Sequence, residues 1–196
     1  MNGKPLSPYH GFPVRVAVPG VAGARWVKWL DRITVQRNES SNFYQQHDYK
    51  ILPPEAVTWE VAEQYWNKVP AMQSMPVNSV VAVPNDNETI QLSAQGLVEV
   101  KGYAVPCGDQ GPVTRVEVSG DNGKTWVDAE LNPTEIRSKW CWTLWKASLR
   151  MERGTNRTIL SRATDAGGNV QSKFSEWNIR GVGYCGYGAL WNLTVT

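Results

Sequence analysis

The sequence predicts a mainly β protein whose second half is an antiparallel sandwich of the immunoglobulin type. Short apolar runs recur from residue 79 onward: "SVVAVPN", "GLVEVKGYAV", "VTRVEVS", "WVDAEL", "KWCWTLWKASL" and "RTILSRATDAGGNV". Gly, Asn, Asp and Pro separate them at about 8 to 12 residues, the interval at which sandwich strands follow one another. Six of the ten tryptophans, at positions 126, 140, 142, 145, 177 and 191, fall in this half. Aromatics at that density fill sandwich cores and interfaces.

The elements read as follows. Residues 12–19, "FPVRVAVP", alternate apolar with other residues, and 25–35, "RWVKWLDRITV", do so less strictly. Both read as strands flanking the turn "PGVAGA". Residues 36–56 are polar and then proline-rich, an ordered loop with little regular structure. "TWEVAEQYWNKVP" (58–70) reads as a short helical turn stopped by Pro70 and Pro76. "VPAMQSMPVNS" reads as a linker. In "VTRVEVS", strict alternation puts Val113, Arg115, Glu117 and Ser119 on one face and Thr114, Val116 and Val118 on the other. "DNGKT" carries the Asn-Gly signal of a tight hairpin leading into "WVDAEL".

Composition narrows the function classes. The net charge is +2, and no basic run reaches four residues, so nucleic acid is not an expected partner. No apolar stretch of about 18 residues is present, so no membrane span is expected. The opening "MNGKPLSPYH" has no apolar core and is not Arg-rich, so it does not read as a targeting peptide. Cys107, Cys141 and Cys185 are far apart, which is neither a metal-ligand spacing nor a disulfide framework. The sequons at Asn38, Asn87, Asn156 and Asn192 are of the kind that arises by chance in a chain rich in Asn, Ser and Thr. Both histidines, His10 and His47, lie upstream of the sandwich, so no Ser-His pair sits inside it. The second half therefore reads as a binding or assembly module. The first half is dense in His, Arg, Lys and Gly between residues 10 and 35 and is too short to bury a core alone.

The run "HGFPVRVAVPGVAGARWVKWL" resembles the eukaryotic molybdenum-cofactor oxidoreductases, the family of sulfite oxidase and assimilatory nitrate reductase. The resemblance continues in order through "HDYK" (47–50), "SGDNGKTW" (119–126), "WCWTLW" (140–145), "ATDAGGNVQ" (163–171) and "WNIRG" (177–181). It implies two parts: residues 1–68 as the end of an α+β molybdopterin-binding domain of the sulfite oxidase fold, and residues 69–196 as an immunoglobulin-like dimerisation domain. It also implies a homodimer, a molybdenum-molybdopterin cofactor of which this chain holds only part of the site, and a mitochondrial intermembrane-space or peroxisomal location. No heme is expected in this chain.

Carried over residue by residue, the resemblance assigns His10, Arg15, Trp26, Val27 and Lys28 to the pterin cofactor, with backbone amides near Lys28 helping to bind its phosphate. The chemistry fits, since Arg offers a planar fork and Lys a point charge for phosphate and pterin acceptors. It assigns Tyr49 and Arg180 to the oxyanion substrate, sulfite, for which a guanidinium is a natural partner. The nitrate reductase pattern replaces the tyrosine motif and has methionine at the arginine position, so sulfite oxidase is the expected reading. "ILPPE" after "DYK" is closer to nitrate reductase, which stays as the alternative, together with a non-catalytic dimerisation module. The family's metal-ligand cysteine would lie upstream of "HGFP", and none of the three cysteines takes that place. The chain alone is therefore expected to be inactive. The electron acceptor is not specified by these residues.

Overall fold

The computed structural model describes residues 3–132 and 138–196, so Met1 and Asn2 of the opening segment lie outside it. The chain forms two compact units. One holds the residues up to Met75 together with Glu176–Gly183; the other holds Pro76–Ser175 and Tyr184–Thr196. The compact units part at 75/76, and the short segment Glu176–Gly183 returns to the first unit. The expected linker divides between them, because Val21 bridges Ser74 and Lys50 bridges Ala71.

The second unit is the sandwich. Its strands are β1 (Asn78–Val83), β2 (Thr89–Ile90), β3 (Leu97–Val105), β4 (Val113–Ser119), β5 (Val127–Asp128), β6 (Glu130–Asn132), β7 (Thr143–Arg150), β8 (Gly154–Asp165) and β9 (Gly188–Val195). One sheet runs β1-β3-β7-β6 and the other β2-β9-β8-β4-β5. Alternation places Val98, Val100 and Ala104 of β3 and Trp145 and Leu149 of β7 inward. They meet Val116, Val118, Ile159, Ala163 and Leu193 from the facing sheet in one core cluster. Stacked sheets bury such rows because each side chain removed from water contributes about 25 cal/mol per Å² of apolar area.

A buried polar clip joins the sheets. Ser79 of β1 shares a hydrogen bond with Ser161 of β8 at 2.9 Å and donates to Gln171 Oε1 at 2.7 Å. Gln171 Oε1 also accepts from the Ala163 amide. These groups are satisfied, so the polar cost of burial is met within the core.

Three sandwich expectations change in detail. In β4 the register slips between Val113 and Arg115. That bulge brings Val113 to the buried side with Val116 and Val118, so Val113 does not share a face with Arg115. Asn122 and Gly123 do take positive φ, at 60° and 81°, yet the turn is wider than two residues, since Val118 pairs with Val127. The Asp121 carboxylate gathers the amides of Lys124 and Thr125 and so holds the wider loop. Strand β9 is an addition that the sequence reading did not single out.

The first unit departs further. Residues 12–19 and 25–35 form no strands. Val16 N–H donates to Val27 O and Leu30 N–H to Val14 O; beyond these two bonds no ladder develops. Pro13 and Pro19 have no N–H to give. Val14, Val18, Ile33 and Val35 are exposed, so no opposing face rewards extension. Short helical turns occupy Pro8–His10 and Gly23–Arg25 instead. Helix α1 (Phe43–Gln46) is capped by Asn42, and α2 (Trp59–Ala62) by Thr58, within the expected helical turn. A small cluster of Leu52, Ala56, Ala62 and Trp66, with Ile179 against it, holds this unit.

Candidate cofactor and oxyanion site

All seven candidate residues lie in the first unit, in two groups. The first is built on Gly11. This residue has φ 104° and caps the Pro8–His10 turn. A side chain there would start 3.0 Å from Arg15 Cβ and 3.1 Å from Lys28 Cβ. Glycine therefore lets His10, Arg15 and Lys28 converge. His10 Nδ1 shares a 2.6 Å hydrogen bond with Ser7 Oγ. Arg15 Nη1 donates to His10 O at 3.2 Å, and its guanidinium lies 6.0 Å from the Trp26 ring centroid. Arg15 Nε is buried and has no partner among the described residues. Lys28 Nζ donates to Tyr9 O at 3.0 Å and sits 4.6 Å over the Trp29 ring.

Within this group part of the backbone is already bonded. The Trp26 amide donates to Gly23 O and the Val27 amide to Arg25 O, both inside the tight turn. Those two amides are already engaged. Trp26 Nε1 is likewise used, on Val21 O. The Val27 side chain points to solvent.

The second group surrounds three consecutive residues, each side chain held by a different partner. Asp48 pairs with Arg180 Nη2. Tyr49 packs its ring under the Arg25 guanidinium, 5.7 Å from centroid to Cζ. Lys50, almost fully buried, donates to Trp66 O at 2.5 Å. Tyr49 has φ 56°, a left-handed conformation uncommon for a tyrosine. Its carbonyl accepts from the Met72 amide at 2.8 Å, and Arg25 Nε donates to Met72 O at 3.1 Å. Arg25 thus brackets Tyr49 from both the ring and the backbone side. Strain of this kind persists where surrounding contacts over-determine it.

Arg180 arrives on the returning segment, where Asn178 Nδ2 donates to Val182 O and its Oδ1 accepts from the Val182 amide. The guanidinium lies 5.9 Å from the Trp59 ring centroid. Arg180 Nε and Arg25 Nη2 are buried donors without partners among the described residues.

The sequence reading missed Arg25 and Asp48. Their partners lie tens of residues or more away, so no local pattern marked them. Arg25 adjoins the Trp26–Lys28 run and was within reach on that ground. The three cysteines all belong to the sandwich unit. Burial pushes the Cys107 thiol above its ordinary pKa, and the Asp165 carboxylate adds to the effect, which disfavours the thiolate a metal needs.

The fold and this donor set define a class: an immunoglobulin-like sandwich in one chain with a unit rich in guanidinium donors that have no partner among the described residues and suit anions. Residues 69–187 match the family of the Mo-co oxidoreductase dimerisation domain, and residues 1–44 match the oxidoreductase molybdopterin binding domain. The chain belongs to the molybdenum-cofactor oxidoreductases. It is 44% identical over 187 residues to mitochondrial sulfite oxidase of Homo sapiens, covering 93% of this chain and 33% of that protein. With sulfite oxidase of Arabidopsis thaliana the identity is 39% over 193 residues, covering 93% and 47%. With the NAD(P)H nitrate reductase of Hordeum vulgare it is 40% over 192 residues, covering 92% and 21%. Among solved structures, the sulfane dehydrogenase SoxCD from Paracoccus pantotrophus aligns with a TM-score of 0.72 at 26% identity, over 97% of this chain and 46% of that one. The chain spans less than half the length of these relatives.

Proposed function

We propose that this chain is the C-terminal portion of a sulfite oxidase, pairing as a homodimer through its sandwich. The observation that carries the reading is the bracketed Asp48–Tyr49–Lys50 segment, with Arg180 on one side and Arg25 on the other. Arg180 keeps its charge oriented by Asp48 while Nε remains available as a donor. A compact oxyanion suits such a preoriented guanidinium. Tyr49, fixed by its backbone and by the Arg25 stack, offers a phenol as a hydrogen-bond donor in the same segment.

The first group fits a molybdopterin cofactor. Arg15 Nε is a buried donor awaiting an acceptor, Lys28 supplies a point charge, and Gly11 gives the close approach that brings them together. In this reading His10, Arg15 and Lys28 hold one side of the pterin, while Trp26 and Val27 shape the turn that presents Lys28. The molybdenum group, when bound, supplies the oxygen transfer and accepts the electrons. For the 196 residues alone we infer no metal retention and no turnover, because none of the three cysteines belongs to the cofactor unit. The mitochondrial names of several animal relatives favour a mitochondrial site for the whole protein.

Arg180→Met in the complete protein tests the reading. Losing a charge-assisted hydrogen bond of about 1.5–3 kcal/mol should weaken sulfite binding at least tenfold. An unchanged apparent affinity refutes the role assigned to Arg180. A nitrate reductase remains the second reading, favoured by "ILPPE" after "DYK". Nitrate reduction by the complete protein in place of sulfite oxidation would select it.

A further inference from the structure

We infer that a groove at one end of the sandwich, framed by three loops, binds a small organic anion through a phosphate or sulfate group. The inference goes beyond the oxidase reading and does not depend on it.

Strand register brings the three loops together. Arg150 at the end of β7 pairs with Leu97 at the start of β3, and Ser119 at the end of β4 pairs with Leu160 of β8. Leu92 and Gly96 come from the β2–β3 connection, Asp121 and Lys124 from β4–β5, and Met151 and Glu152 from β7–β8. The groove between them holds about 600 Å³, inside the range of about 300–1,000 Å³ that small-molecule sites occupy. Loops gathered at one end of a sandwich are where such folds carry binding residues.

Cations outnumber acids around it. Lys124, Arg150 and Arg157 line the groove against Asp121 and Glu152, and Arg153 stands in the same turn. The side chains of Lys124, Arg150 and Arg153 make no ion pair or hydrogen bond among the described residues. The Asp121 carboxylate is turned onto its own loop, where the Lys124 and Thr125 amides and the Thr125 hydroxyl occupy it. Glu152 meets Arg157 only at 3.5 Å, with its side chain 87% exposed. Water screens such a contact, and an oxyanion in the groove can displace it.

Arg157 is oriented in advance. Its Nη2 donates to Arg153 O at 2.5 Å. Gly154, at φ 129°, makes the room, since a Cβ there would lie 3.0 Å from Nη2 and 3.4 Å from Nε. Nη1 makes no hydrogen bond among the described residues. A planar guanidinium held in one orientation with donors to spare matches the paired oxygens of a phosphate or sulfate group.

Thr158 is an independent sign of a ligand. It is 7% exposed and lines the groove, and its hydroxyl makes no hydrogen bond among the described residues. Polar groups on residues this buried are ordinarily partnered, so this hydroxyl is left for whatever occupies the groove. Leu92 and buried Met151 add apolar lining. A bare tetrahedral ion would leave that lining and most of the volume unfilled, which selects an organic body behind the charged group.

The test is a titration of the 196-residue chain followed through its backbone amide resonances. The probes are adenosine monophosphate, neutral adenosine, inorganic phosphate and inorganic sulfate. Adenosine monophosphate should shift the Gly120, Gly154 and Thr158 amides with a Kd of about 1 mM or tighter. Adenosine should bind about tenfold or more weakly, and the two inorganic ions should bind at the same amides but less tightly than the monophosphate. Arg157→Gln should weaken the monophosphate about tenfold or more, and Thr158→Val about three- to tenfold. Lys124→Gln and Arg150→Gln, both at exposed positions, should each weaken it about twofold or more and flatten its dependence on salt. These two carry the test where Arg157→Gln does not fold. Lys101→Gln, exposed and outside the groove, should leave binding unchanged. No shift at these amides with any probe up to about 10 mM overturns the inference. Equal binding of adenosine and its monophosphate overturns the anion. Equal binding of inorganic phosphate and the monophosphate overturns the organic body and makes the bare oxyanion the ligand.

Discussion

Arg180 closes an ion pair with Asp48, 132 residues earlier in the chain. Both side chains are less than a third exposed, at 26% and 18%. The pair ties the returning segment Glu176–Gly183 to the Tyr49 loop inside one compact unit. The unit is thus completed by a segment that lies between β8 and β9 in the chain. Gly183 shows the same closeness, since a Cβ there would lie 2.5 Å from Ile51.

Asp48→Ala should destabilise the first unit by about 1–3 kcal/mol. The substitution leaves a largely buried guanidinium without its counter-charge, and such an uncompensated group costs more than the net worth of the pair. Arg180→Met with Asp48→Ala should cost less than the sum of the two single changes, because the double variant leaves no orphaned charge. Denaturant unfolding followed by fluorescence of the tryptophans measures all three. Strict additivity would mean that the two groups do not interact.

Gly102→Ala should destabilise the sandwich by about 3 kcal/mol or more, at or beyond the upper end of ordinary overpacking. The reason is geometric. A Cβ at Gly102 would lie 2.0 Å from Val80 O and 2.3 Å from Trp145 Cζ2. Val80 belongs to the neighbouring strand β1 and Trp145 is the cross-strand partner in β7, so neither can step aside without breaking ladder bonds or core packing. Thermal unfolding of the variant reads the cost, and an unchanged midpoint would show the sheet to be looser than its packing implies.

The sandwich was legible where one face of a strand is buried and the other is wet. In β3 that gives Val98, Val100 and Ala104 inward against Glu99, Lys101 and Tyr103, and the pattern survives in the letters. Strand β9 was hidden because its phase slips. Gly188 and Leu190 are buried, then Leu193 and Val195, with Asn192 at φ 56° between them. Residues 12–19 misled for the opposite reason: the letters alternate, but Val14 and Val18 stay exposed, so alternation brings no burial. In the candidate site, Tyr49 and Arg180 were reached through resemblance and not through spacing. Asp48 and Arg25 stayed invisible because their meaning lies in partners remote in sequence.

The purified 196-residue chain should contain no stoichiometric molybdenum and should reduce no acceptor in the presence of sulfite. Retaining a metal needs a ligand bound at short range, and a thiolate is the soft donor available to a chain of this family. The cysteines lie in the sandwich unit, and burial disfavours the thiolate at Cys107. On the proposed reading His10, Arg15 and Lys28 would contact a cofactor through hydrogen bonds and charge alone. Metal analysis by mass spectrometry, alongside an acceptor-reduction assay, decides the matter. Stoichiometric metal with turnover would send the search for a ligand back to Cys107, Cys141 and Cys185.

The sandwich should lose stability between about pH 4 and pH 2 through Asp121. Burial acts to raise the pKa of this carboxyl. The hydrogen bonds it accepts outweigh that: from Thr125 Oγ1 at 2.6 Å, from the Thr125 amide, from Ser119 Oγ at 2.7 Å and from the Lys124 amide at 3.0 Å. Together they bring its pKa from 3.8 to about 2. Because the folded value is the lower one, the unfolded chain binds the proton first as pH falls. The stabilisation is therefore fully present above about pH 4 and disappears as pH drops through the folded value. Asp121→Asn keeps the side-chain shape but removes the charge and half the acceptor capacity, so the β4–β5 loop should loosen at neutral pH. The variant's stability should also change less than the wild type's across this window. Urea midpoints taken at steps from about pH 5 to pH 2 for both proteins make the comparison. Parallel curves would show that Asp121 titrates alike in the folded and unfolded chains.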